Sequence, residues 1–330
     1  MSPSFEIGIL PNRPFADCVN LCDAVENMGF GGVWVADSQS VMRDAYALLS
    51  VVGARTSRIR LASGVTNALT RHLSVLASSW ATLDELSHGR AVMGIGVGES
   101  SVRNIGFEPD RLANLETKIH ALRALMRGEE ATYDGETFHL TWPKRAVPVF
   151  MACSGPRSLQ LGGRVADGVL FQVGSEPSFV QYALDNIRIG AEQAGRKMED
   201  IKLFMRLACA VSDDGDKARE QVKGYAAVAA GTTFATVPRN YFSDQLWDEL
   251  AAFKSGYDYY EHGENLAKHT ELLTDSIIDG IAIAGTPEEV VPKFQAIADM
   301  GIDGFVCPAG MEDAMAFIEL FGAKVVPRIE

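Results

Sequence analysis

Glu99 is the residue whose position in the sequence most invites chemistry. It closes the run Arg90-Ala91-Val92-Met93-Gly94-Ile95-Gly96-Val97-Gly98-Glu99-Ser100, an apolar, strand-like stretch in which Gly94, Gly96 and Gly98 alternate. Glycine inside a strand costs stability and marks close approach of a ligand or another backbone. A carboxylate just past such a clearing can give a proton to, or take one from, whatever fills it. Asp37 ends a second apolar run, Gly31-Gly32-Val33-Trp34-Val35-Ala36, and is followed by Ser38. The two acids could serve one pocket, or Asp37 could cap the loop that follows it.

A different chemistry is written at Cys153-Ser154-Gly155-Pro156-Arg157. Proline suits the first helical turn, and the N–H groups at a helix start attract an anion. Ser154, Gly155 and Pro156 therefore suit a phosphate, unless Ser154 only caps the helix. His72 either meets substrate or begins a helix. His88, His120 and His139 take structural readings, and no metal is expected. The 5 cysteines are scattered. Cys18 and Cys22 fall with Leu21 and Val25 on one helical stripe and read as buried thiols, with no disulfide expected.

These residues need a scaffold, and the periodicity supplies one. Strand-like runs occur at 5–10, 31–36, 59–65, 90–96, 147–152, 167–172, 201–211 and 304–307, with amphipathic stretches between them. Strands alternating with helices make a parallel sheet, and eight such units make a (β/α)8 barrel. A doubly wound open sheet lacks its marker, since no G-x-G-x-x-G opens a helix after the first strand. Asp134-Gly135 between β-formers marks a small hairpin. From 213 to 276 the pattern loosens and strands vanish, which reads as a helical insertion after the seventh strand. The chain is expected to form one barrel domain, 1–330, with 213–276 as a lid within it. In such barrels the site lies at the C-terminal strand ends, where Asp37, Asn67, Glu99 and Ser154 fall.

Composition narrows the function. A formal net charge of −13 argues against nucleic-acid binding and anionic membranes. No apolar run is long enough to span a bilayer. Met1-Ser2-Pro3-Ser4-Phe5-Glu6 lacks a secretory start, so a cytoplasmic enzyme is expected.

Together the motifs resemble the bacterial luciferase-like superfamily of flavin- and deazaflavin-dependent oxidoreductases, above all its methylenetetrahydromethanopterin reductase-like branch. They are Val33-Trp34-Val35-Ala36-Asp37, Ser63-Gly64-Val65-Thr66-Asn67 with Thr70-Arg71-His72, and Gly89-Arg90 through Glu99-Ser100. Ser154-Gly155-Pro156 with Ala166-Asp167-Gly168-Val169, and Gly285-Thr286-Pro287-Glu288, complete the set in family order. The resemblance implies a luciferase-like (β/α)8 barrel holding coenzyme F420, a 5-deazaflavin, or FMN across its mouth. It places the phosphate at Ser154-Gly155 and near Val173-Gly174. It also implies a non-proline cis bond at Gly64-Val65 beneath the ring, with Asp37, Thr66 and Asn67 near the ring's polar edge or the substrate. Gly96 and Gly98 would leave room beside the ring. Two departures matter: Ala68 stands where many relatives have proline, and Gly98-Glu99-Ser100 replaces Gly-Asp-Ser. The latter is closer to deazaflavin-dependent sugar-phosphate dehydrogenases, although basic residues to grip a sugar phosphate are not evident in the insertion.

The expected activity is hydride exchange between F420 and a small organic substrate, with Glu99 as proton donor or acceptor and Asp37 as a second candidate. The alternatives are an FMN monooxygenase using oxygen and supplied by a separate flavin reductase, or a flavin-binding barrel without catalysis. Aromatics of the insertion (Phe234, Tyr241, Phe242, Trp247, Phe253, Tyr257) could dry such a pocket or simply pack the insertion. A homodimer is implied by family resemblance alone.

Overall fold

A computed structural model describes residues 2–255 and 268–330. Eight parallel strands close into a ring: β1 (Ser4–Ile9), β2 (Gly32–Val35), β3 (Arg60–Ser63), β4 (Ala91–Gly96), β5 (Val149–Cys153), β6 (Gly168–Phe171), β7 (Lys202–Arg206) and β8 (Gly304–Pro308). Each pairs with the next, and β8 pairs back onto β1. The alternation in each strand decides what goes inward. Trp34, Ala62, Val92, Phe150, Leu170, Phe204 and Val306, one from each of β2 to β8, form an inner cluster. Odd-numbered residues of β1, Phe5, Ile7 and Ile9, join the larger core shared with the helices.

The helices carry their stops and starts in the sequence. Phe15–Asn27 buries Cys18, Leu21, Cys22 and Val25, the stripe expected of it. Asp44 caps Ala45–Arg55 by accepting from the Ala47 N–H at 2.8 Å. Pro287–Ala298 opens with a capping box between Thr286 and Glu289 and buries Val290, Phe294 and Ile297. Asp134 and Gly135, both at positive φ, turn the hairpin Ala131–Tyr133/Glu136–Phe138.

The run expected as one long seventh strand is two. It breaks at Leu207, and its second part, Ala208–Val211, leaves the ring to pair in parallel with Ala282–Gly285. That partner strand carries no signal in the sequence. Four small residues, Ala-Ile-Ala-Gly, are too short a run to show a period of two. Between them lie the helices Gly215–Thr236, Asp244–Ser255 and Asp275–Ile281. The aromatics of this segment pack on one another and on helix Pro177–Gln193. Phe234 and Trp247 lie 4.5 Å apart, and Phe179 and Phe242 lie 4.6 Å apart. Tyr257, Tyr259 and Tyr260 fall outside the described residues. Among the described residues no helix is long and apolar enough to cross a membrane.

Candidate active site

β3 does not run straight to its end. After Ser63 the chain passes through a cis peptide at Gly64–Val65, then resumes pairing as Thr66–Asn67. Ala62 pairs with Val92 and Thr66 with Ile95, so four steps on one strand match three on the other. This is a bulge, which bends a strand and re-aims its side chains. The glycines of β4 make it possible. A Cβ at Gly94 would lie 2.0 Å from the Ser63 carbonyl oxygen and 2.9 Å from the Trp34 ring; one at Gly96 would meet the Val65 side chain at 3.3 Å. The space these two glycines leave is taken up by the chain itself, by the bulge and Trp34 at Gly94 and by Val65 and Ala152 at Gly96. Gly98 serves the turn itself, with φ 85° and the Val102 side chain 2.7 Å from where its Cβ would be.

The bulge presents Thr66 and Asn67 to a polar cluster. Thr66 donates to Asp37 Oδ2 at 2.6 Å, and Arg71 forks onto both Asp37 oxygens at 2.7 and 3.2 Å. The Tyr46 hydroxyl lies 3.0 Å from Thr66 Oγ1 and, since Thr66 has given its proton to Asp37, donates there; Trp80 Nε1 in turn donates to Tyr46. Burial first, and then the charge of Asp37, push the Tyr46 phenol above its ordinary range. Asn67 accepts from the N–H groups of Leu69 and Thr70 and donates to Ser101 Oγ. Ser38 meets Ser100 at 3.0 Å. Asp37 is thus no cap for its loop; it is a buried anion with both oxygens engaged.

Glu99 stands in different surroundings. It precedes the short helix Ser100–Arg103, and its side chain is 76% exposed and ion-paired with Arg103 at 2.8 Å. The two acids share no hydrogen-bond partner. His72 caps Leu73–Leu86, accepting from the Ser74 N–H, and rests 5.3 Å from Phe138 of the hairpin.

Across the mouth, Gly155 is the residue that begins helix Pro156–Val165, with no side chain capping it. Ser154 does not do so; its N–H donates to Ser158. A Cβ added at Gly155 would stand in ordinary van der Waals contact with the Thr236 side chain, at 3.9 Å. In the turn after β6, Val173 is buried and Gly174 has φ 90°. The next two N–H groups, of Ser175 and Glu176, donate to the Gly280 carbonyl, which ties this turn to the insertion.

Several contributors gave no sequence signal. Lys118 and Asp110 form an ion pair at 2.7 Å with both side chains almost wholly buried. Lys118 also donates to the Ala68 carbonyl, and the Asp110 N–H donates to Val97. The pair therefore fastens the loop after β3 to the loop after β4. Glu6, an inward residue of β1, accepts from Trp34 Nε1 at 2.5 Å and pairs with Arg60. Arg206 and Tyr225 line a recess with Trp34 and Leu170.

A family described as luciferase-like monooxygenase matches residues 4–304. The chain belongs to the luciferase-like monooxygenase family. Among its relatives, the 5,10-methylenetetrahydromethanopterin reductase of Methanolobus tindarius is 29% identical, the match covering 98% of this chain and 99% of that protein. An F420-dependent glucose-6-phosphate dehydrogenase of Nakamurella multipartita is 28% identical over 95% of this chain and 92% of its own length. The fold of this luciferase-like chain superposes on the coenzyme F420-dependent tetrahydromethanopterin reductase of Methanopyrus kandleri with TM-score 0.80, at 24% identity and 100% coverage of both chains.

Proposed function

We propose that this protein is an F420-dependent oxidoreductase that exchanges a hydride with a small organic substrate. One observation carries the reading: nearly the whole chain matches a relative named as an F420-dependent glucose-6-phosphate dehydrogenase and superposes on a coenzyme F420-dependent tetrahydromethanopterin reductase. The residues present fit such a group. Among the described residues Thr70 Oγ1, in the loop beyond the bulge, is buried without a partner, and the helix start at Gly155 has no side-chain cap.

F420, when bound, supplies the hydride at its ring carbon. The chain supplies the rest. Ser154, Gly155 and Pro156 hold the phosphate, with Val173 and Gly174 at its side. The bulge at Gly64 and Val65 supports the ring, and Gly96 and Gly98 leave the backbone close to it. Thr66, Asn67 and Thr70 offer polar contacts, oriented by Asp37 and Arg71. Trp34, Leu170 and Val306 keep the floor apolar and exclude water. Glu99, in contact with solvent at the rim, moves the proton that accompanies the hydride. Asp37, already engaged by Thr66 and Arg71, is a positioning residue. Direct use of F420 needs no separate flavin reductase.

The family's monooxygenase name favours one competing reading, reduced FMN with oxygen. The test mixes the purified protein with F420 and with FMN, then with a panel of carbonyl compounds under reduced cofactor. Tight F420 binding and anaerobic oxidation of reduced F420 are expected. Oxygen-dependent product formation with reduced FMN, and none with F420, would overturn the proposal.

A further inference from the structure

We propose that Arg206 and Tyr225 recognise a carboxylate, and that the substrate is a small monocarboxylate with an apolar body. The substrate assignment rests on the oxidoreductase reading above; the binding step does not.

Arg206 ends β7 on the inward side, two residues above Phe204 of the inner cluster. It is half-buried. Its Nη2 donates to the Tyr225 hydroxyl at 3.2 Å, with the guanidinium 5.6 Å from the ring centroid. Other partly buried arginines meet a carboxylate or at least a backbone carbonyl, as Arg13 meets that of Met311 and Arg196 those of Gly163 and Asp200. Arg71 has Asp37, Arg164 has Glu116 and Arg219 has Asp275 and Asp279, while Arg90 donates to four backbone carbonyls. Among the described residues Arg206 has neither a carboxylate nor a carbonyl, only a neutral phenol. In a protein of net charge −13, a cation held this way at the mouth lacks its counter-ion.

The surroundings define what that counter-ion belongs to. Among the described residues lining the recess, Arg206 is the one charged group; Ile9, Trp34, Leu170, Val306 and Pro308 wall a space of about 10 Å³, so the body of a bound molecule lies above these walls and not between them. Tyr225 comes from insertion helix Gly215–Thr236, and its ring is seated by Gly310: a Cβ there would lie 2.8 Å from Tyr225 Cε2. The hydroxyl that accepts from Arg206 keeps its own proton to donate. A guanidinium fork and a phenol together match the planar oxygens of a carboxylate. One cation balances one negative charge, so a phosphoryl dianion is the poorer guest.

The test is calorimetric titration of phenylglyoxylate, its neutral methyl ester and phenyl phosphate into the F420-loaded protein. The acid is expected to bind about tenfold or more tightly than either comparator. Arg206→Met should weaken the acid by about tenfold or more, Arg206→Lys by less and Tyr225→Phe by a few-fold, with F420 affinity held within about twofold. Equal affinity for acid and ester, tighter binding of phenyl phosphate, or an Arg206→Lys and Tyr225→Phe pair that binds like wild type would overturn the proposal. The same series on cofactor-free protein, read by tryptophan fluorescence, separates the two claims. Arg206-dependent binding without any F420 binding sinks the oxidoreductase reading alone. F420 turnover with no Arg206 dependence of acid binding sinks this one alone.

Discussion

Glu99 and Asp37 both follow the ends of barrel strands yet meet opposite fates. Asp37 is nearly wholly buried and fixed between Thr66 and Arg71, whereas Glu99 reaches solvent and one exposed arginine. A group that must trade protons with water gains from exposure; one that must hold an arginine and a threonine in place gains from burial. Glu99→Gln is therefore expected to cut turnover of reduced F420 by about a hundredfold, within the usual range for acid–base groups. F420 affinity, measured by titration, should stay unchanged; a variant with wild-type turnover removes Glu99 from the chemistry. Both acids were legible because an ionisable group directly after an apolar run stands out. Arg206, Tyr225, Tyr46 and Lys118 were not, since their meaning comes from partners such as Thr66, 20 residues from Tyr46, and Ala68, 50 residues from Lys118. Glu6 was hidden differently, as one charge among apolar strand residues. Burial raises its pKa above the ordinary 4.5, with Arg60, Trp34 and Ser4 opposing. A raised folded pKa gives a contribution that is complete below about pH 4.5 and is lost as pH rises through the raised value. Glu6→Gln keeps an acceptor for Trp34 and removes that dependence. Urea unfolding across pH should show wild type losing stability relative to the variant above about pH 4.5, and parallel curves would refute it.

At the scale of elements, the bulge after β3 and the glycines of β4 are one construction. Gly94 permits the Ser63 carbonyl, Gly96 permits Val65, and the Ser63 hydroxyl donates to the Gly94 carbonyl at 2.7 Å. Gly94→Ala would drive a methyl into a backbone oxygen that cannot rotate away. A loss of about 3 kcal/mol is expected from overpacking of this kind, seen by chemical denaturation, with F420 binding weakened as the bulge shifts. Gly96→Ala, facing a side chain at 3.3 Å, should cost less; equal costs would break the account. The ring of eight strands could be read from periodicity because each has an apolar run long enough to register. The break at Leu207 could not, since strand-like residues run through both halves of 202–211 and the pairing partners are what differ.

At the scale of the molecule, a chain of net charge −13 surrounds a mouth built to take a phosphate-bearing cofactor. Long-range repulsion then slows the encounter, while the phosphate seat proposed at Ser154 and Gly155 would act only at short range. Salt screens the first and barely touches the second. The F420 association rate is accordingly expected to rise a few-fold between about 10 mM and about 150 mM NaCl in stopped-flow mixing. A falling rate would mean that a local positive field governs capture instead.

The short ladder between Ala208–Val211 and Ala282–Gly285 has a bearing on inheritance. The chain leaves the barrel and returns through that single doorway, outside the eight-strand ring. Residues can be gained or lost between 212 and 281 without moving any strand of the ring out of register. The stretch that seats Tyr225 can thus drift without disturbing the strands, so long as it keeps Gly280 on the turn after β6 and Thr236 beside Gly155. A lineage can change what it acts on there, one helix at a time, and keep the cofactor it began with.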